Sequence, residues 1–188
     1  MENTDIKIAT CGRLRSGKTT AEQYLCAIHD FTPFAFADPL KYSFYNLFPQ
    51  YRSQPKPRAL LQKYGEDMCA IDPHVWIRPT FESIKRTTGI AAIEGRTPRI
   101  LITDLRKQTE LDEVRRQGFT VIRITAPEEL RIKRAREAGD DFNVEDLTHP
   151  TEISVDGFDC DYEVSNEGDS FDLYAQLNRI ISKLEADK

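Results

Sequence analysis

No run of apolar residues in this chain approaches the roughly 18 that a helix needs to cross a bilayer. Its opening residues, "MENTDIKIAT", hold no apolar core of the kind a secretory signal carries. A cytoplasmic protein with no membrane partner is expected. Cysteine is scarce as well. Cys11, Cys26, Cys69 and Cys160 stand apart, with no C-x-x-C pair and no histidine at metal-ligand spacing. Free, mostly buried thiols are therefore expected, and a structural metal is not. Net positive charge is missing too, with 26 Lys and Arg against 31 Asp and Glu giving −5. That balance argues against a nucleic-acid protein working through overall charge, so any anionic partner must be small or locally gripped. Repeats, low-complexity tracts and internal linkers are also absent.

What is present describes one globular domain. A chain of 188 residues with 39% hydrophobic and 30% charged residues is long enough to bury about two thirds of its unfolded surface. Strands and helices alternate along it. "IKIATC" (6–11) reads as a strand and "KTTAEQYLCAIH" (18–29) as an amphipathic helix. "TPFAFA" (32–37) suits a short strand, and "DPLKYSFYNLF" (38–48) a helix with Asp38 as N-cap and Pro39 in its first turn. "YRSQPKP" reads as a loop. "RALLQKYGEDM" and "PHVWIRPTFESIKRT" look helical, with a kink or break expected at Pro79. "RILITD" and "FTVIRIT" are strong strands, separated by a polar amphipathic helix that Gly118 closes. "PEELRIKRAREAG", the strand "DYEVSN" and the helix "SFDLYAQLNRIISKLE" complete the pattern, the last with Phe171, Leu173, Leu177, Ile180, Ile181 and Leu184 on its apolar side. Such alternation predicts an α/β fold in three layers, a mostly parallel central sheet flanked by helices, with ligands beyond the carboxyl ends of the strands.

One loop carries specific chemistry. Gly12, four residues, then Gly17, Lys18 and Thr19 match the P-loop pattern G-x-x-x-x-G-K-[ST], between a strand and a helix as that pattern requires. Its backbone N–H groups, with Arg15, Ser16 and Thr20 beside them, can cradle the phosphates of ATP at the positive end of the helix. Lys18 would reach the β- and γ-phosphates and the Thr19 hydroxyl would hold Mg²⁺.

The rest of the chain narrows the choice among P-loop proteins. A switch GTPase would carry an N-K-x-D segment, which is missing. A motor would be longer and would end a strand in adjacent acidic residues, whereas "ILITD" ends in Asp104 alone, followed by Leu105 and Arg106. Asp104 can hold Mg²⁺ through water, and Arg106 can hold a phosphate. Arg131, Lys133, Arg134 and Arg136, ahead of a glycine and polar stretch, suit a closing lid over about 131–150, with arginines that neutralise the transferring group.

Five segments then resemble the bacteriophage-type deoxynucleoside monophosphate kinases, in the same order: "FAFADPLK" (34–41), "RALLQKYGEDMCAIDPHVWI" (58–77), "ILITDLR" (100–106), "GFTVIRIT" (118–125), and "HPTE" (149–152) with "DYEVSN" (161–166). The resemblance spans nearly the whole chain. It implies the nucleoside-monophosphate-kinase fold, ATP and Mg²⁺ on the donor side, and a deoxynucleoside 5′-monophosphate as acceptor, bound by a helical segment over about 38–90. It places Asp38, Lys41, Arg58 and Gln62 on the acceptor side. Arg58 can fork onto a phosphate and Gln62 can both donate to and accept from a base edge. Trp76 and Phe36 could stack on a base or pack in the core. No role follows for His149 or Glu152, since an ionised phosphate acceptor needs no general base. Thr19 departs from that family, many of whose members carry an acidic residue there, and restores the ordinary P-loop. Neither the preferred base nor the oligomeric state follows from the sequence.

Two alternatives stay open. Animal-type phosphomevalonate kinases share the fold and an "R-x-R-S-G-K" loop like Arg13, Arg15 and Ser16, but Gln62, Trp76 and the aromatic "YSFYNLF" suit a flat base better than an aliphatic acid. A non-catalytic nucleotide-dependent switch is the other, disfavoured by Arg106 and the lid arginines.

Overall fold

The structure, a computed structural model, describes residues 5–138 and 154–187. In chain order the elements are β1 (Lys7–Cys11), α1 (Lys18–His29), β2 (Phe31–Phe34), α2 (Ala37–Leu47), α3 (Arg58–Ile71), α4 (Ile77–Ile93), β3 (Arg99–Ile102), α5 (Gln108–Arg116), β4 (Thr120–Thr125), α6 (Glu128–Glu137), β5 (Tyr162–Ser165) and α7 (Ser170–Ala186). Short 3-10 turns lie at Pro49–Tyr51 and Ser154–Gly157.

The five strands form one sheet in the order β2-β3-β1-β4-β5. Every pairing is parallel, with Ile8 opposite both Leu101 and Thr120. Alternation along each strand divides the core in two. Ile8, Leu101, Ile122, Ile124 and Val164 face Ala21 and Leu25 of α1 and Leu173, Leu177 and Ile181 of α7. Ala9, Cys11, Ile100, Ile102 and Val121 face Ile77 and Ile84 of α4 and Leu111 and Val114 of α5. Both faces are covered, which is why "RILI" and "TVIRIT" read as nearly unbroken apolar runs.

Several local expectations are corrected. The N-cap of α2 is Phe36, not Asp38, which lies exposed in the first turn. The capping group comes from a distant strand end: the Asp104 carboxylate accepts the backbone N–H of Phe36 and of Ala37, at 2.8 and 2.9 Å. No kink occurs at Pro79, because α4 begins at Ile77 and the first-turn N–H groups have no intrahelical acceptor to lose. Phe171 is exposed, being in the first turn of α7 rather than over the sheet.

β1 sits between β3 and β4, while the chain runs from β1 to the far edge at β2. The strand order therefore switches direction at β1, and the crevice this opens at the carboxyl ends is where such sheets bind ligands.

Candidate active site

The loop between β1 and α1 is shaped by its own backbone. Gly12, Arg15 and Gly17 all have positive φ, at 149°, 60° and 108°. Gly17 has two reasons to be glycine. Its φ lies outside the range side chains favour, and a Cβ there would fall 1.9 Å from Asn166 Nδ2. Lys18 Nζ donates across the concave side of the loop to the carbonyls of Gly12 and Arg13, at 2.7 and 2.9 Å.

A cleft of about 520 Å³ opens in front of this loop. Arg15, Gly17, Lys18, Thr19 and Thr20 line it from the loop, together with Arg58, Arg106, Arg134, Asn166 and Ser170. Residues far apart in sequence are thus brought together: the P-loop, the start of α3, the turn after β3, α6 and the end of β5. Gly12, Ser16 and Arg131 lie instead on a smaller cleft of about 240 Å³ with Arg13, Arg123 and Asp156.

Further cations adjoin Arg58 and Arg106. Lys56 titrates below the ordinary lysine range, first through partial desolvation and then through the charges of Lys41, Arg58 and Arg106. Four cations within reach of one another repel unless an anion lies among them. Lys56 was not singled out from the sequence, where it is one lysine in a Pro-rich loop. Carboxylates gather next to this cluster. Glu22 on α1 titrates above its usual range through burial and the charges of Asp104 and Asp38, with Lys41 opposing. Asp38 and Lys41 pair with each other at 3.2 Å on the exposed side of α2.

Arg106 is held from behind. The Glu110 carboxylate accepts the backbone N–H groups of both Arg106 and Lys107, at 2.8 and 2.9 Å, closing the first turn of α5. Glu110 itself is buried, and burial is the main reason that its carboxyl is pushed up to about 7.

Three expected contacts are placed differently. Trp76 is 9% exposed; its indole N–H donates to Gly65 O at 3.3 Å and its ring packs on Tyr64. It joins α3 to α4 and is not presented to the cleft, since an indole this size is buried wherever two amphipathic helices can enclose it. Gln62 is exposed on α3 and donates to Glu66 at 3.2 Å; it does not line the cleft. Arg131 is 3% exposed and lies on the smaller cleft rather than the main one: its guanidinium donates to Ala126 O at 3.2 Å and Leu14 O at 3.4 Å, bracing the P-loop against the end of β4. Arg134 does line the main cleft, with Nη2 donating to Asn166 O at 3.1 Å and Nη1 buried without a hydrogen-bond partner among the described residues. The expected lid begins inside α6, and its residues 139–150, together with His149 and Glu152 of "HPTE", lie outside the described residues.

The sequence places Asn166 at the end of a strand, in one of the segments that carry the resemblance, and assigns it no role. It is 7% exposed, donates from Nδ2 to Ser16 O at 2.8 Å, and accepts Arg134 on its own carbonyl. A buried amide following the last strand of such a sheet is the signal that could have identified it, because that position also falls at a carboxyl end.

Mg²⁺ fits the donor set in a limited way. The Thr19 hydroxyl is exposed toward the cleft, whereas both Asp104 oxygens already accept backbone N–H groups and keep only their remaining lone pairs. Among the described residues no group of three or more His, Cys, Asp or Glu could hold a metal by itself.

Neither a family model nor a curated protein matches the chain. Solved structures do. The chain is similar to a sugar kinase from Janibacter sp. HTCC2649, with 17% identity over 97% of this chain and 95% of that one, at a TM-score of 0.58. It is similar to shikimate kinase from Acinetobacter baumannii in complex with shikimate, with 18% identity over 96% and 95% and a TM-score of 0.55. It is also similar to dephospho-CoA kinase from Campylobacter jejuni, with 14% identity over 96% and 98% and a TM-score of 0.54. At these identities the likeness is one of fold, and the fold is that of the P-loop kinases.

Proposed function

We propose that this chain is a kinase that transfers the γ-phosphoryl group of ATP to the phosphate of a nucleoside 5′-monophosphate, with a deoxynucleotide as the preferred acceptor. The observation that carries the reading is the pairing of two cationic groups on one cleft. The P-loop with Lys18 lines it together with Arg58 and Arg106, and Lys41 and Lys56 add positive charge beside Arg58 and Arg106. A switch that only held a nucleotide would have no use for the second group. The likeness to solved kinases supports phosphoryl transfer, and the five segments resembling phage deoxynucleoside monophosphate kinases support the acceptor.

In this reading the loop N–H groups and Lys18 bind the donor phosphates, and Arg58 with Lys56 and Lys41 binds the acceptor phosphate. Arg106, fixed through its backbone by Glu110, and Arg134 line the same cleft and neutralise the group in flight. Thr19, aided by the free lone pairs of Asp104, would hold Mg²⁺. When bound, that ion would supply neutralisation of phosphate charge. The acceptor oxygen is ionised at neutral pH, so no residue need remove a proton from it. Catalysis is then positioning and preorganised charge.

A second reading keeps the chemistry and changes the acceptor to a small non-nucleotide phosphate monoester, as in phosphomevalonate kinases. One observation favours it: Trp76 and Phe44, two of the aromatic residues that argued for a base, are engaged elsewhere. Trp76 packs on Tyr64, and Phe44 packs with Phe48, Tyr51 and Tyr64 between α2 and α3. An ADP-release assay with ATP and Mg²⁺ against dTMP, dUMP, dGMP, dCMP, dAMP, their ribo forms and phosphomevalonate tests both. Stimulation by deoxynucleotides is expected. Stimulation by phosphomevalonate alone would select the second reading, and ATP binding with no stimulation by any acceptor would reduce the protein to a nucleotide switch.

A further inference from the structure

Two thiols at the root of the P-loop take no part in the chemistry above. Cys11 ends β1 and directly precedes Gly12; Cys160 lies two residues ahead of β5. Their sulfur atoms are 3.6 Å apart. Cys11 is fully buried, while Cys160 is partly exposed at the edge of the same apolar cluster.

The setting is polarised. Arg123 of β4 acts on both sulfurs. Its Nε is buried without a hydrogen-bond partner among the described residues, while its Nη atoms donate to Phe158 O and to Glu163. Arg115 adds charge while gripping the same segment through Asp159 O and the Asp161 carboxylate. The hydrogen bond from Cys11, with Arg123 and Arg115, draws the Cys160 thiol down to about 7 against the opposing effect of burial. The same hydrogen bond and burial push the Cys11 thiol up. A partly exposed sulfur, drawn toward the thiolate by two arginines, thus lies 3.6 Å from a buried sulfur, the arrangement of an attacking and a resolving cysteine.

We propose that Cys11 and Cys160 are a redox modification site, converted by hydrogen peroxide into a disulfide that links the end of β1 to the approach to β5. The Cys160 thiolate attacks one peroxide oxygen, breaking the O–O bond; the departing hydroxide takes up a proton as water and Cys160 becomes a sulfenic acid. The Cys11 sulfur then displaces the sulfenic hydroxyl, its proton leaving with that hydroxyl as the second water. Two thiols are oxidised and one peroxide is reduced to two waters.

The bridge bears on the loop because Cys11 and Gly12 are consecutive. Bond formation brings the sulfurs about 1.5 Å closer. Gly12 has little slack, since a Cβ on it would lie 2.2 Å from Ile124 O, so movement of Cys11 passes into the phosphate-binding turn. Weaker nucleotide binding follows in the oxidised form, a consequence that rests on the nucleotide-binding reading while the bridge itself does not.

The experiment treats the full chain with hydrogen peroxide under native conditions, alkylates the remaining thiols and maps the peptides by mass. The expected result is a Cys11–Cys160 linked peptide, loss of two hydrogens from the intact mass, alkylated Cys26 and Cys69, and reversal by dithiothreitol. The double variant Cys26→Ser, Cys69→Ser should form the same bridge and Cys160→Ser should form none. A bridge to Cys26 or Cys69, or Cys160 advancing to sulfinic acid with Cys11 still alkylated, would overturn the proposal. Titration calorimetry with ATP on both redox forms should show several-fold weaker binding after oxidation. Equal affinities would remove the coupling, and no ATP binding by the reduced form would instead sink the nucleotide reading and leave the bridge standing.

Discussion

Asn166 donates its side-chain N–H to the backbone carbonyl of Ser16 at 2.8 Å, across 150 residues of sequence, and occupies the space that any side chain at Gly17 would need. The P-loop is therefore not a self-contained motif here. Its last turn before α1 is closed by the end of β5, and its outer turn is braced by Arg131 through Leu14 O.

Removing that closure should loosen the loop. Asn166→Ala leaves the buried Ser16 carbonyl without its partner, at a cost of about 1–3 kcal/mol. Thermal denaturation should register the loss, and KM for ATP should rise more than KM for the acceptor. Gly17→Ala should cost more than Asn166→Ala, because positive φ and the collision add together. If Asn166→Ala left both stability and KM for ATP unchanged, the contact would have no bearing on the loop.

Lys18→Ala should reduce kcat by roughly 10²–10³ in a folded protein, through loss of one preorganised charge. Circular dichroism and thermal melting check the fold, and steady-state kinetics check the rate. Near-normal turnover would refute the assignment of the P-loop as the donor site.

Arg58→Ala and Lys56→Ala should each raise KM for the monophosphate far more than KM for ATP, the pattern of an acceptor-side contact. Lys56→Ala has a second signature. It relieves repulsion among the four cations, so the acceptor-free protein should gain slightly in stability even as acceptor binding weakens. Equal effects on both substrates would take these residues out of the acceptor site.

Glu110 predicts a pH dependence. Burial holds its folded carboxyl at about 7, against an ordinary value of 4.5. Between those values the folded protein binds more protons than the unfolded chain. Stability from this group is thus full below 4.5 and is lost as pH rises through about 7. The swing is on the order of 3 kcal/mol. Glu110→Gln keeps an acceptor oxygen for the Arg106 and Lys107 amides and abolishes the titration. Chemical denaturation of the two proteins across this range should show curves that lie together at low pH, where Glu110 is neutral like glutamine, and separate as pH rises, with the wild type losing stability and Glu110→Gln keeping it. Parallel curves at all pH values would mean that the carboxyl does not titrate abnormally.

The P-loop part of the candidate site was legible in the sequence because it is local. Gly12, Gly17, Lys18 and Thr19 lie in one turn whose conformation their spacing dictates, and the alternation of "IKIATC", "RILITD" and "FTVIRIT" with amphipathic helices determined a parallel three-layer sheet by periodicity alone. Asp104 and Arg106 stand out because a strand end in such a sheet is a ligand position, and of the two it is Arg106 that lines the cleft.

Only the tertiary structure decided the rest, because it depends on which surfaces meet. Trp76 went to packing since α3 and α4 enclose it, and Arg131 to bracing since α6 docks against the P-loop. Asp104 became the cap of α2 because β3 ends beside that helix. Lys56, Glu110, Asn166 and the Cys11–Cys160 contact carry no motif. Each acquires its role from groups distant in sequence, through burial and charge that periodicity and spacing do not encode.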